Sequence, residues 1–262
     1  MREQRMVFGE VAELYDSTRA GYPDALVDDV IGFAGADGTR LRAVEVGAGT
    51  GKATVSFAAR GAEIVAIEPS ATMAAVARRN TAEFPHVQVE ETSFEDWPAP
   101  GGAFRLLYSA TAWHWVSPEV RYVKAAQVLA PGGAIALFWH RVQWQGQPLR
   151  DELEDLYQRL APDLLAQRPS FPGLDPARSG DVVEAEIRRT GLFQDATMQT
   201  YPWSATFTAD TYAGLLQTQS GHRMLDDQRR AELLDGVREL IAAHGGEIEV
   251  PHGTLLVMAR RS

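Results

Sequence analysis

Along the first half of the chain, short apolar runs alternate with stretches whose apolar residues recur every three or four positions. The short runs predict strands at 43–46, 63–67, 86–89, 105–109 and 134–139. The helical spacing predicts helices at 52–60, 71–83 and 119–129, the second with Met73, Val76 and Ala77 on one face. The third is expected to stop at Pro131-Gly132-Gly133. Residues 134–139 are apolar throughout, the pattern of a strand buried on both faces. Strand–helix–strand alternation with short connections implies right-handed crossovers and a parallel sheet with helices on both faces.

The second half reads differently. Helical patterns cover 149–165, 181–190, 210–219 and 226–243, the last with Leu233, Val237, Leu240 and Ile241 on one face. Strand candidates lie at 193–201 and 254–259. Residues 167–179 hold three prolines and read as a loop, and Ser220-Gly-His-Arg223 reads as an interruption between two helices. No internal repeat, low-complexity stretch or linker divides the chain, so one domain spanning 1–262 is expected.

Composition narrows the classes of function. At 262 residues and 45% hydrophobic content, the chain has enough material for a large buried core. Lys plus Arg number 25 against 35 Asp plus Glu, a formal charge of −10, and an acidic surface disfavours a nucleic-acid partner. The basic pairs Arg78-Arg79 and Arg229-Arg230 are isolated in helical stretches and read as solvated faces. With no cysteine there are no disulfides, thiolate nucleophiles or cysteine-bound metals. Residues 1–16 hold no continuous apolar segment, and the longest apolar run, 134–139, is far short of a membrane span. A cytoplasmic location without membrane attachment is the expectation; oligomeric state is not legible.

The segment Val44-Glu45-Val46-Gly47-Ala48-Gly49-Thr50-Gly51-Lys52 follows a strand and opens a helix. Glycines there let the backbone turn tightly and approach a ligand without a Cβ clash. A dinucleotide fingerprint needs a third glycine where Lys52 stands, and a P-loop needs Ser or Thr where Ala53 stands. What is left is acid-x-Gly-x-Gly-x-Gly. Twenty-one residues after Gly47, Glu68 closes the second strand, where a carboxylate can accept hydrogen bonds from both hydroxyls of a ribose.

In these residues the chain resembles the class I S-adenosylmethionine (SAM)-dependent methyltransferases, in particular small-molecule enzymes related to trans-aconitate methyltransferase. The resemblance covers nearly the whole chain and is most specific over 44–139. It implies an α/β, Rossmann-like fold with a seven-stranded, mostly parallel sheet, the last strand antiparallel. The SAM-binding core would occupy about 25–142 and 181–262. Lid elements would occupy about 1–24, 143–180 and 205–245. It also implies that Gly47, Ala48, Gly49 and Gly51 lie against the methionyl and ribose parts of SAM. Glu45 would meet the amino-acid end of the cofactor, and Glu68, followed by Pro69, the ribose.

The same resemblance places the loop 92–97 at adenine. Ser93 stands where the family commonly has Asp, and Phe94 would offer its backbone N–H. Residues 105–115 resemble the family's fourth-strand segment ending in Ala-x-His-Trp, with Arg105 in place of the usual Asp. Ser109 and Ala110 would border the cofactor there. Trp113 and Trp115 are candidate walls of the methyl-acceptor site. Near the start, Tyr15 and Arg19 fall in an element that covers the SAM site in relatives, and Arg19 could pair with the SAM carboxylate or an acidic substrate. Arg141 and Arg223 are further substrate candidates. His114, His140 and His222 are candidate bases. His86, His244 and His252 read as surface or loop residues. No acid–histidine group has metal-ligand spacing, so no metal is expected.

SAM carries an already activated methyl group, so the protein need only hold the acceptor in line and keep water out. Such positioning is worth roughly 7–11 kcal/mol. Trp113, Trp115, Trp139, Trp144 and Trp203 are the residues expected to exclude water. A hydroxyl or amine acceptor would want a base; a carboxylate would favour arginine clamps. The residues leave O-, N- and C-methylation open. Two rival classes also stay open: a SAM-binding protein of this fold without transfer activity, and an NAD-dependent oxidoreductase.

Overall fold

A computed structural model describes residues 11–35, 40–144, 148–166 and 179–262. Seven strands form one sheet: β1 (Arg42–Val46), β2 (Glu63–Ile67), β3 (Val87–Glu90), β4 (Phe104–Ala110), β5 (Leu129–Val142), β6 (Phe193–Thr208) and β7 (Glu247–Arg261). Their order across the sheet is β3-β2-β1-β4-β5-β7-β6. β1 to β5 pair in parallel, and the last strand, β7, runs antiparallel. The expected Rossmann-like sheet is therefore present. The order reverses between β1 and β4, which puts a crevice at the carboxyl ends of those two strands.

The helices are α1 (Ala12–Thr18), α2 (Asp24–Ala34), α3 (Lys52–Ala58), α4 (Ala71–Asn80), α5 (Arg121–Val128), α6 (Pro148–Leu160), α7 (Pro162–Ala166), α8 (Gly180–Thr190), α9 (Ala209–Gln217), α10 (Ser220–Met224) and α11 (Asp227–Ala243). Side-chain caps set several starts: Ser70, Ser179, Thr208 and Asp226 each accept a bond from the first turn of α4, α8, α9 and α11.

The chain divides into two compact units. The sheet unit holds the described residues within Gly21–His140, Pro176–Tyr201 and Thr254–Ser262. Alternation along its strands sends successive residues to opposite faces. Leu107, Ile135, Leu137 and Trp139 join one apolar cluster with residues of α5 and α8; Leu106, Tyr108, Ala136 and Phe138 join another with α2 and α3. The helical unit holds the described residues within Met1–Ala20, Arg141–Asp175 and Pro202–Gly253, and so collects most of the segments assigned above to a lid. Its core sets Leu153, Leu156 and Tyr157 of α6 against Leu233, Val237 and Ile241 of α11. Gly236 permits that approach, since a Cβ there would lie 2.8 Å from Leu156.

Several elements depart from expectation. The helix expected at 119–129 is α5, which starts at Arg121 and ends at Val128; β5 begins at once and carries Pro131-Gly132-Gly133 inside it. The register absorbs the excess, with Phe104 opposite Leu129 and Leu106 opposite Ala134. The single helix expected at 149–165 is two, α6 and α7, because Pro162 disfavours helical backbone at Ala161. Ser220–Met224, read as an interruption, is the short helix α10. α2 was not anticipated. Of the loop expected at 167–179, only Ser179 lies within the described residues. Among those residues no helix is long and apolar enough to cross a membrane.

Candidate active site

In the sheet unit, β1 runs into the glycine turn. Gly47, Gly49 and Gly51 all take positive φ, at 73°, 59° and 85°, where a side chain is strained. A Cβ on Gly47 would lie 2.3 Å from the Ala112 Cβ, whereas at Gly49 it would meet nothing within 4 Å among the described residues. One glycine is thus demanded by packing, and the other faces open space. Gly47 and Ala48 donate their N–H groups to the Ile67 carbonyl at 2.9 and 3.0 Å, and Gly49 donates to Glu68 Oε2 at 2.8 Å. Ser70 N–H donates to Glu68 Oε1 at 2.9 Å. Glu68 therefore pins the turn to the start of α4, with Pro69 between. Burial raises its pKa, opposed by the Ser70 and Gly49 N–H bonds.

Glu45 is fully buried. Its Oε2 accepts from Thr54 Oγ1 at 2.5 Å and from the Tyr108 hydroxyl at 2.9 Å. Oε1 has no hydrogen-bond partner among the described residues. Burial pushes the carboxyl up to about 7; the Thr54 and Tyr108 bonds oppose this, and Glu68 adds to it. Ser109, also fully buried, donates to the Val46 carbonyl at 2.7 Å and so ties the end of β4 to β1, with Ala110 next in the strand. Arg105, in place of the family's usual Asp, donates to the Ala34 and Gly35 carbonyls and caps α2.

Ser93, Trp113 and Trp139 each have partners within the chain. The Ser93 hydroxyl, expected at adenine, donates to Asp96 Oδ2 at 2.6 Å and accepts from Asp96 N–H, closing its own turn. Phe94 is buried below it, leaving the backbone as the part of this residue able to serve a ligand. Trp113, read as a wall of the acceptor site, is only 1% exposed and packs on Phe94 and Tyr122 in the core. Trp139, read as excluding water, is likewise 1% exposed. Trp115 is half-buried beside His114, whose Nδ1 lies 3.5 Å from Trp139 Nε1.

At the carboxyl end of β5, His140 Nδ1 lies 2.9 Å from Thr254 Oγ1, and the ring stacks on Tyr22 at 4.4 Å. The Tyr22 hydroxyl lies 3.2 Å from Thr111 Oγ1. Neither Tyr22, Thr111 nor Thr254 was singled out in the sequence. The available signal was position alone: Thr111 directly follows β4 and Tyr22 directly precedes Pro23.

The remaining candidates belong to the helical unit. Arg19 donates from Nε to Thr218 Oγ1 at 3.0 Å, and its guanidinium lies 4.9 Å from the centre of the Tyr15 ring. His222 is buried, with Nε2 2.6 Å from the Tyr157 hydroxyl. Burial lowers the pKa of the neighbouring Arg223, and Arg230 adds to that. Arg141 follows His140 in β5. His252, read as a surface or loop residue, is buried in β7, stacked on Trp203 at 4.2 Å, and burial lowers its pKa. No group of three or more metal-ligating side chains occurs among the described residues.

A turn with one glycine facing open space, a buried carboxylate fixed behind it and a second carboxylate with one unpartnered oxygen fits a cofactor carrying a ribose and an amino-acid end. Comparison with known proteins agrees. A profile of methyltransferase domains matches residues 43–133, which span the glycine turn and Glu68. An uncharacterised methyltransferase of Mycobacterium tuberculosis is 27% identical over 263 residues, covering 98% of this chain and 97% of its own. A solved structure from Anaeromyxobacter dehalogenans, described as a candidate type II methyltransferase, aligns with a TM-score of 0.61 at 22% identity, over 93% of this chain and 97% of that one. Phosphoethanolamine N-methyltransferase 2 of Haemonchus contortus, solved with phosphomonomethylethanolamine and S-adenosylhomocysteine (SAH), aligns with a TM-score of 0.58 at 14% identity, over 100% of this chain and 60% of that one. Fold and site define a Rossmann-like enzyme that uses a nucleoside cofactor. Residues 43–133 match methyltransferase domains, and these likenesses support a SAM-dependent methyltransferase with SAM as its cofactor.

Proposed function

We propose that this protein transfers the SAM methyl group to a small molecule in the cytoplasm, with the sheet unit holding the cofactor. The observation that carries the reading is the clasp of Gly49 N–H and Ser70 N–H on the two oxygens of Glu68. It fixes a carboxylate beside an open glycine turn, and each oxygen keeps a lone pair for a ribose hydroxyl. Gly47, Ala48 and Gly51 shape the turn, and Glu45 offers Oε1 towards the amino-acid end. The Phe94 backbone serves adenine, with Ser93 and Asp96 shaping that loop. Ser109 and Ala110 border the turn from β4.

When bound, SAM supplies an activated methyl group on a sulfonium sulfur. The chain's own residues then have to place an acceptor, exclude water and remove a proton where the acceptor carries one. Within the sheet unit, Trp115 is the acceptor contact in this reading.

Thermal unfolding of the full chain with SAM, SAH and NADH tests it. A ligand at 100 times its Kd adds about 2.7 kcal/mol, a shift of roughly 5–10 °C for a chain of this size. Shifts with both sulfur ligands and none with NADH are expected. No shift with either sulfur ligand overturns the cofactor assignment. Binding without SAH formation from any acceptor overturns methyl transfer.

A further inference from the structure

Lysine is scarce in this chain: Lys52 and Lys124 stand against 23 arginines. Lys124 lies on α5 and is half-buried. Its ammonium donates to the Glu95 carbonyl at 2.9 Å and to the Trp97 carbonyl at 2.6 Å. Two acceptors converging on one point suit a compact ammonium, whereas a guanidinium spreads its donors across a plane. Both carbonyls belong to the turn 93–97. That turn closes on itself, with the Trp97 N–H donating to the Ser93 carbonyl at 3.0 Å and the Ser93 hydroxyl accepting from the Asp96 N–H. Lys124 thus sits at the carbonyl end of the turn, where a cation is favoured, and Phe94 stands near its start. Two other anchors reach the turn. Trp97 Nε1 donates to Glu90 Oε2 of β3 at 2.8 Å, and the Ser117 N–H donates to Glu95 Oε1 at 2.9 Å. Lys124 Nζ also lies 5.5 Å from the centre of the Phe94 ring, which packs on Trp113. Burial lowers the Lys124 pKa, opposed by Asp96 and Glu95. Its ammonium has therefore given up water to bind these carbonyls.

We propose that Lys124 is a positioning residue for the base of the cofactor: it locks the turn 93–97 so that the Phe94 N–H meets a ring nitrogen of adenine, and thereby makes the site selective for a 6-aminopurine. The proposal rests on the reading above, in which the Phe94 backbone serves adenine, and deepens it. The three anchors differ in what they hold. Glu90 and Ser117 hold side chains of the turn, whereas Lys124 holds its backbone at two carbonyls. Peptide groups are planar, so fixing two carbonyls limits how far the planes of the turn can rotate. The direction of each N–H is set by those planes. Adenine presents an unprotonated N1, which accepts a hydrogen bond. Hypoxanthine carries a proton at N1, so the same N–H would face a second donor. A rigid N–H enforces that mismatch and a loose one turns away from it, which is how a lysine on α5 acts on base selectivity without touching the base.

Calorimetry of the full chain with SAH and with S-inosylhomocysteine, which differ only in the base, tests this without a methyl acceptor. The wild type should prefer SAH by about ten-fold or more, the worth of one well-made hydrogen bond. Lys124→Met should weaken SAH by about ten-fold and leave S-inosylhomocysteine nearly unchanged, so that the preference collapses. Lys124→Arg keeps the charge without the compact donor and should not restore it. The sequence has no cysteine, so Lys124→Cys carries a single thiol. Aminoethylation of that thiol with 2-bromoethylamine places an ammonium at nearly the length of lysine, and the preference for SAH should return. The same preparation before and after alkylation serves as its own control for folding, read by Tm. Equal losses for the two ligands in Lys124→Met would mark a merely structural residue and overturn the proposal. So would a wild type that binds SAH without preferring it, or a preference that aminoethylation fails to restore. A wild type that binds neither ligand would instead strike the cofactor assignment on which the proposal rests.

Discussion

The sheet unit carries two constructions at the carboxyl ends of its strands, and they are made differently. At β1 and β2, backbone does most of the work. Three glycines with positive φ shape a turn, and its N–H groups close on the Ile67 carbonyl and on Glu68. At β4 and β5, side chains do it, through Tyr22, Thr111, His140 and Thr254. A backbone turn must be consecutive in sequence, so it leaves a readable motif. A side-chain cluster can draw its members from anywhere and leaves none. Backbone geometry also tolerates far less change, because the chain has no rotamer with which to escape a clash.

The largest expected effect lies in the turn. Gly47→Ala combines left-handed backbone, about 1–2 kcal/mol, with a Cβ 2.3 Å from Ala112, about 1–3 kcal/mol of overpacking. Its Tm should fall by roughly 5–15 °C in calorimetry. Gly49→Ala bears only the backbone strain, about 1–2 kcal/mol, because its Cβ meets open space. It should instead lose SAH affinity out of proportion to its stability. Equal losses of Tm in the two variants would break the distinction between a glycine required by packing and one that faces a ligand.

A smaller effect, dependent on pH, belongs to Glu45. Its carboxyl rises from 4.5 to about 7 through burial, so between those values the folded chain holds a proton that the unfolded chain has released. Stability therefore declines as pH rises through that window and levels off above 7. The full penalty is about 3 kcal/mol at pH 8. Glu45→Gln keeps the shape without the ionisation. In urea titrations the variant should match the wild type near pH 4.5 and become the more stable by up to about 3 kcal/mol at pH 8. A constant difference across that range would show that Glu45 titrates normally and that its buried setting is not as drawn.

The same contrast explains how much could be read in advance. β1 and β2 were placed within a residue because their apolar runs are bounded by the glycine turn and by Glu68. β6 was expected to end at Tyr201, yet it continues through Pro202, which cannot donate to a ladder, to Thr208. As the outermost strand it has an unpaired side, where a proline costs little. β7 hid its first half behind Pro251-His252-Gly253, which reads as a loop until the Gln143 N–H is seen bonded to the Pro251 carbonyl at 2.8 Å. In the site, Glu45 and Glu68 were legible from their spacing to the glycines. Their partners were not: Thr54 and Tyr108 reach Glu45 from α3 and β4, and nothing local marks them. Ser93 was read by family position, and its own neighbour Asp96 claims its hydroxyl.

The smallest expected effect tests whether the side-chain cluster rests on stacking or on its hydroxyls. Tyr22→Phe keeps the ring against His140 and Phe138 and removes only the oxygen that lies 3.2 Å from Thr111. A neutral, partly buried hydrogen bond contributes about 0.5–1.5 kcal/mol, so the urea midpoint should fall only slightly. The Thr111 hydroxyl then loses one partner. A loss well above about 2 kcal/mol would mean that more than one bond depends on that oxygen. Tyr22→Leu should cost more than Tyr22→Phe, since it also removes the stack. If the two variants are equally stable, the ring adds nothing to the cluster.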